Sequence, residues 1–335
     1  MKKIVVILLV FALIATCVFA FTGCKDNGTL APTVTSITVC IPDGAPALGM
    51  SYLMKEYPEI DGVKVNYVMK VGAEDIKAAV MNGDADVAIM PTNLAATLYN
   101  GGIDINVVGT SSYGVLYMLS DQSNVTLESL KGKVVHTVGQ GGTPEAVLKK
   151  ILDANDIDFV ESDDAVEGKV ALKFYADGQA IIGGIKNGTI QYAVLGEPAV
   201  STVTSKFSSY SVVLDLQQLW NDATDSDAGY PQTSLVVKSS LIKDAESLVV
   251  KIAQLTLEGS NALKTNAAPY VDYLTEQGYT VALAGVSRAN ILPKFAAEAR
   301  SDIETYLTVL LNFKPQLIGG KLPDEDFYYT TAKLK

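Results

Sequence analysis

From Ser36 onward, short apolar runs rich in β-branched residues alternate with stretches in which apolar positions recur every three or four residues, so strands alternate with amphipathic helices. That order predicts parallel sheets with helices packed on them. Ser36 to Ile41 reads as a strand, Pro46 to Glu56 as a helix, Val63 to Lys70 as a strand, Glu74 to Asn82 as a helix and Val87 to Met90 as a third strand. Asn82-Gly83 is a helix stop, because glycine accepts the left-handed geometry that follows a last helical turn. Roughly a hundred residues later the order returns: strand Val134 to Gly139, helix Pro144 to Asn155, strand Ala171 to Tyr175, helix Gly178 to Asn187 and strand Tyr192 to Leu195. Val147, Leu148, Ile151 and Leu152 share one helix face. Asn187-Gly188 repeats the stop, and both third strands run into turns containing proline, Pro91 and Pro198. One architecture is used twice.

Two β-like runs within Val107 to Asp121, and a strand from Gln232 to Ser239, are the expected crossings between the lobes. Amphipathic helices over Leu241 to Ala262 and Pro293 to Leu311 then return to the first lobe. The expected organisation is residues 36–119 for the first part of lobe 1, 120–232 for lobe 2, and 233–335 for the return segment and C-terminal helices. Ahead of them, Met1-Lys2-Lys3 precedes a nearly continuous apolar run from Ile4 to Ala20 and then Phe21-Thr22-Gly23-Cys24, which reads as a signal peptide over 1–23 ending in a lipobox. Cys24 is the expected lipidation site and 24–35 a polar tether; an uncleaved anchor is the alternative, and both put the domain outside the cytoplasm.

Composition narrows the partners. The 335 residues are 19% charged and 48% hydrophobic, with a formal net charge of −11, so a nucleic acid backbone would be repelled. Arg288 and Arg300 are the only arginines, which leaves little for bidentate recognition of anions. Of three cysteines, Cys17 and Cys24 belong to the N-terminal segment, and Cys40 lies in an alternating strand pattern as a small buried hydrophobe.

In open α/β sheets, ligands bind beyond the carboxyl ends of the strands. The loops there nominate Asp43, Gly44, Ala45, Thr92, Asn93, Ser111, Ser112, Tyr113, Gln140, Gly141, Gly142, Thr143 and Glu197, with Tyr230 and Gln232 at the second crossing. Gly141-Gly142-Thr143-Pro144 combines flexible backbone, a capping threonine and a first-turn proline, and its free amides would favour an anionic or oxygen-rich group. Glu197 either contacts ligand or caps the helix opened by Pro198. Asp43 and Glu197 bring negative charge to loops that hold no Lys or Arg, which favours a neutral or amine-bearing polar organic, stacked on Tyr113 or Tyr230, over an inorganic anion. Arg288 either reaches the cleft or is an exposed helix arginine. His136, the single histidine, sits inside a strand, so no serine-histidine triad, His/Cys metal site or other catalytic centre is expected, and no cofactor.

The lipobox, the twin lobes, Asn82-Gly83-Asp84-Ala85-Asp86-Val87-Ala88 and Leu195-Gly196-Glu197-Pro198 together resemble the substrate-binding lipoproteins of bacterial ABC importers. The likeness is to the nitrate/sulfonate/taurine type, related to pyrimidine-binding proteins of thiamine biosynthesis, and covers nearly the whole mature chain. Pro91 to Ala96, Leu127 to Lys133 and the tail Gly319 to Tyr329 look like one subgroup of such lipoproteins. The resemblance implies an α/β fold of the periplasmic-binding-protein type II class: two lobes, each a mostly parallel sheet flanked by helices, joined by two hinge strands. It also implies a monomer without enzymatic turnover, lipid-anchored to the bacterial cell membrane, that delivers a small molecule to an ABC permease and its ATPase. A cofactor-free enzyme on the same fold and a ligand-sensing partner of a membrane receptor are the alternatives.

Overall fold

The computed structural model describes residues 34–334; the signal segment, Cys24 and the tether up to Thr33 lie outside the described residues. The strands follow in chain order: β1 (Ser36–Pro42), β2 (Glu59–Ile60), β3 (Val63–Lys70), β4 (Val87–Pro91), β5 (Ile105–Tyr113), β6 (Tyr117–Ser120), β7 (Val134–Val138), β8 (Phe159–Glu161), β9 (Val170–Tyr175), β10 (Tyr192–Leu195), β11 (Ser211–Asp215) and β12 (Pro231–Lys238). They form two six-stranded sheets, ordered β2-β3-β1-β4-β12-β5 and β11-β6-β10-β7-β9-β8.

Both sheets share one plan. In the first, β1 lies parallel between β3 and β4, and β12 runs antiparallel beside β4. In the second, β7 lies parallel between β9 and β10, and β6 runs antiparallel beside β10. The repeat read along the chain is therefore a repeat in space, and its matching helix stops, Gly83 and Gly188, share a left-handed backbone with φ of 79° and 70°.

The chain changes sheet at residues 114–116, between β5 and β6, so 117–119, grouped above with the first lobe, lie in the second sheet. An unbroken apolar run hides that change. The expected helix from Pro46 to Glu56 is two pieces, a 3-10 turn Ala45–Met50 and a short α-helix Ser51–Glu56. Pro46 and Gly49 are poor in an α-helix interior, and Gly49 packs so closely on Ser111 that a Cβ there would lie 2.7 Å from its hydroxyl.

Apolar packing is asymmetric. On one face of the first sheet, Ile37, Val39 and Ile41 meet Leu248, Ile252 and Leu255 of the long helix Ser239–Thr265. A separate cluster in the second lobe joins Tyr117, Ala193 and Leu195 to Ile181, Ile185 and Val200. On the remaining side a single core spans both lobes through the helix Ala296–Phe313, whose Ile303, Tyr306 and Leu310 pack with Val147, Leu148 and Trp220 of the second lobe. There the Tyr306 ring stacks on Tyr230 at 5.7 Å, and Trp220 meets Tyr230 edge-on at 5.5 Å. No helix among the described residues is long and apolar enough to cross a membrane.

The return segment extends the first sheet: Phe295 bridges to Gly109 and Ile291 to Ser112 of β5. A Cβ on Gly109 would lie 2.4 Å from the Lys294 carbonyl oxygen, a backbone atom that cannot swing aside. Gly109→Ala is predicted to destabilise the protein by roughly 1–3 kcal/mol in denaturant titration through overpacking. An unchanged midpoint would show that the segment does not press on β5.

Candidate functional site

In both sheets the parallel strands direct their carboxyl ends toward the other lobe, and the loops leaving β1 and β10 meet there with the return segment between them. The Asp43 carboxylate accepts hydrogen bonds from the Gly44 amide at 2.7 Å and from the Thr280 amide at 2.6 Å. Across the seam, the Glu197 side chain is only 3% exposed and receives the Arg288 guanidinium through Nε. Arg288 Nη2 donates to Ser201 Oγ at 2.8 Å and to the Ala284 carbonyl at 3.0 Å. The Ser201 amide in turn donates to Glu197 Oε2 at 3.2 Å, within the first turn of the helix Ala199–Lys206. Glu197 thus caps that helix and pairs with Arg288 at once. Gly285 makes the close approach possible, because a Cβ there would sit 3.2 Å from Glu197 Oε2.

The seam is nearly shut. The gap lined by Ala45, Leu48, Glu197, Pro198 and Gly285 has a volume of about 10 Å3, room for about one water molecule. The 3-10 turn Leu283–Arg288 also forms one wall of a groove of about 640 Å3, to which Tyr113, Leu263, Lys264, Asn266, Val286 and Asn290 contribute. That volume falls in the range of small-molecule sites, roughly 300–1,000 Å3. Asn290 holds the turn against the first crossing by donating to the Gly114 carbonyl at 2.5 Å and to the Tyr117 hydroxyl at 3.0 Å.

Of the residues nominated from sequence, Asp43, Gly44, Ala45 and Glu197 meet at or beside the seam, and Tyr113 lies on the adjoining groove. The others are dispersed. Thr92 Oγ1 shares a hydrogen bond with Ser234 Oγ at 2.9 Å, and Asn93 donates to the Leu317 carbonyl at 3.2 Å, beneath the C-terminal segment. Ser111 is buried with no partner for its hydroxyl among the described residues, and Ser112 Oγ bonds Thr233 Oγ1 at 2.7 Å. Gln140 reaches out to Glu161 at 3.0 Å, Thr143 Oγ1 meets the Tyr306 hydroxyl at 2.8 Å, and Gln232 is half-buried at the bulge where β12 slips against β5.

Several expectations are corrected by these contacts. The amides of the Gly141 loop are not free: Gly141 donates to the buried Glu145 carboxylate at 2.6 Å and Gly142 to the Gly139 carbonyl at 3.0 Å. Tyr230 offers no stacking face, being fully buried between Trp220 and Tyr306. Tyr113 is equally buried, with its hydroxyl donating to Asp302 at 2.7 Å and the Lys294 ammonium 5.4 Å from its ring centre. Burial, reinforced by Asp302, pushes the Tyr113 phenol well above its ordinary range. The carboxylate of Glu197 does not face a ligand unopposed, since Arg288 neutralises it. Arg288, Ser201, Thr280 and Gly285 form the seam without any motif to mark them, although Arg288 stood out as one of two arginines.

Residues 54–267 match the model of the NMT1/THI5-like family. No curated protein matches the chain by sequence. Among solved structures, an ABC transporter protein from Parabacteroides distasonis is 24% identical with a TM-score of 0.74, covering 88% of this chain and 99% of that one. The periplasmic aliphatic sulphonate binding protein SsuA from Escherichia coli is 13% identical with a TM-score of 0.65, covering 90% and 94%. The periplasmic nitrate-binding protein NrtA from Synechocystis is 13% identical with a TM-score of 0.60, covering 85% and 83%. With the two-sheet topology, these likenesses show a periplasmic-binding-protein type II fold.

His136 lies in β7 with Nδ1 3.0 Å from the Tyr175 hydroxyl. Burial, helped by the Lys173 ammonium, pushes its imidazole down from the ordinary 6.5 to about 4. Between those values the unfolded chain binds the extra proton, so this contribution to stability is complete above about 6.5 and is lost as pH falls toward about 4. Denaturant titrations across that window should show an acid loss in the wild type that is smaller in His136→Gln. Identical acid limbs would refute a depressed imidazole.

Proposed function

The chain belongs to the NMT1/THI5-like family, and on that footing we propose that it is a solute-binding protein that captures a small polar organic ligand between its lobes and delivers it to an ABC import permease. The observation that carries this reading is the seam itself: the strand ends of two similar sheets meet across polar loops, joined by an ion pair that a change in lobe spacing would break. The neighbours named for sulphonate and nitrate binding support a small-molecule cargo. The groove of about 640 Å3 beside the seam, lined chiefly by the first lobe, is far larger than nitrate and mixes Leu263, Val286 and Leu292 with Lys264, Asn266 and Asn290; a ligand that reaches from the seam into it would be an organic molecule with an apolar body and polar ends. Pairing of His136 with Tyr175 and burial of Cys40 in β1 support binding without turnover. The partners of this reading are a permease and its ATPase, and the domain works as a monomer outside the cytoplasm, held to the membrane by lipid on Cys24.

Native mass spectrometry of the full-length chain in detergent tests the reading by identifying a retained small molecule. The same preparation tests the seam. Arg288→Gln leaves a buried carboxylate unpaired, a loss on the order of 3 kcal/mol when one partner of a buried pair is removed. The variant is expected to scatter with a larger radius of gyration and to lose its retained ligand. A wild-type scattering profile with full retention would overturn the role of the seam. For the anchor, Cys24→Ala should abolish metabolic lipid labelling; labelling at the wild-type level would remove Cys24 from the reading.

A further inference from the structure

At the far end of the second sheet, the register of β7 on β9 sets His136 opposite Lys173 and Val138 opposite Tyr175. Because side chains alternate across a strand, Lys173 and Tyr175 share one face, and the hydrogen bond to Tyr175 puts the His136 ring on it. A cavity of about 470 Å3 opens there, lined by Lys133, His136, Asp163, Lys173, Tyr175 and Gln191. It reaches Gly132 and Gly188, which precede the N-terminal ends of β7 and β10, whereas the seam lies beyond their C-terminal ends.

The donors in this cavity are arranged around one buried group. His136 is 8% exposed, and among the described residues only its Nδ1 has a hydrogen-bond partner, the Tyr175 hydroxyl. We assign the Tyr175 hydroxyl as donor to Nδ1, which puts the proton on Nε2, and no acceptor for it is found among the described residues. Lys133, Lys173 and Gln191 line the same cavity. One carboxylate opposes them, Asp163, 78% exposed and 3.6 Å from Lys173 Nζ. Two cations against one anion make a positive spot on a chain whose net charge is −11.

We infer that this cavity binds a small oxyanion of the phosphate or sulfate kind, with His136 Nε2–H as a donor and Lys133 and Lys173 supplying the charge. Such an anion presents several acceptor oxygens, so it can take up a donor that no described residue satisfies and add to the charge balance of the two lysines. The site is separate from the one proposed for the transported ligand and does not depend on it.

The single histidine makes the test direct. In the full-length chain purified without a histidine tag and labelled with 15N-histidine, one imidazole signal reports on the cavity. Titration with inorganic phosphate, against sodium chloride at matched ionic strength, should move the Nε2 resonance along a saturable curve. Lys173→Gln should raise the midpoint about tenfold, as expected for losing a charge-assisted contact, and Lys133→Gln should raise it in the same direction. Arg300→Gln, on an exposed face of the first lobe, should leave the midpoint unchanged. A resonance that moves no more with phosphate than with chloride would overturn the site. So would a midpoint indifferent to both lysine substitutions, or one that Arg300→Gln raises as much as they do.

Discussion

Tyr306 is the residue on which the two-lobe arrangement rests. Its ring stacks on Tyr230 at the second crossing, its edge meets Trp220, and its hydroxyl reaches Thr143 at the start of a second-lobe helix. It does this from a helix that packs on both lobes, so one side of the molecule is a continuous apolar core through both. The opposite side is polar and thin, with a single buried ion pair and little enclosed volume. Aromatic packing on one side is spread over several large side chains, whereas the other side depends on one ion pair whose arginine is partly exposed. The lobes are therefore fastened on one side and latched on the other.

That asymmetry decides what was legible in the sequence. Strand and helix periodicity and the paired Asn-Gly stops depend on residues close in the chain, and they located most elements of both lobes, including β3 and β10 residue for residue. The candidate site depends on contacts between distant residues. Glu197 and Arg288 are 91 positions apart, Thr143 and Tyr306 are 163 apart, and Asn93 and Leu317 are 224 apart. Nothing local marks Gly285 as the place where a backbone must pass a carboxylate, or Glu145 as the acceptor for a glycine loop four residues earlier. Loop composition therefore found where strand ends lie, and not which donors and acceptors the fold had already paired.

The charge argument illustrates the difference. Counting residues in the loops made the cleft acidic, because the return segment could not be placed from periodicity. Once Arg288 stands against Glu197 and the Thr280 and Gly44 amides against Asp43, both carboxylates are compensated by groups of the chain itself. The polar character of the seam comes from hydrogen-bonded closure.

Gly114 carries a mechanical consequence. It lies in the first crossing so near the second that a Cβ would come within 2.3 Å of the Tyr230 ring, and its carbonyl is held by Asn290 of the return segment. Two connectors in such contact cannot flex separately. Any twist imposed on one is transmitted to the other as in a laminated leaf spring, so that the lobes share a single axis of rotation and a stiffness set by side-chain packing rather than by loop length.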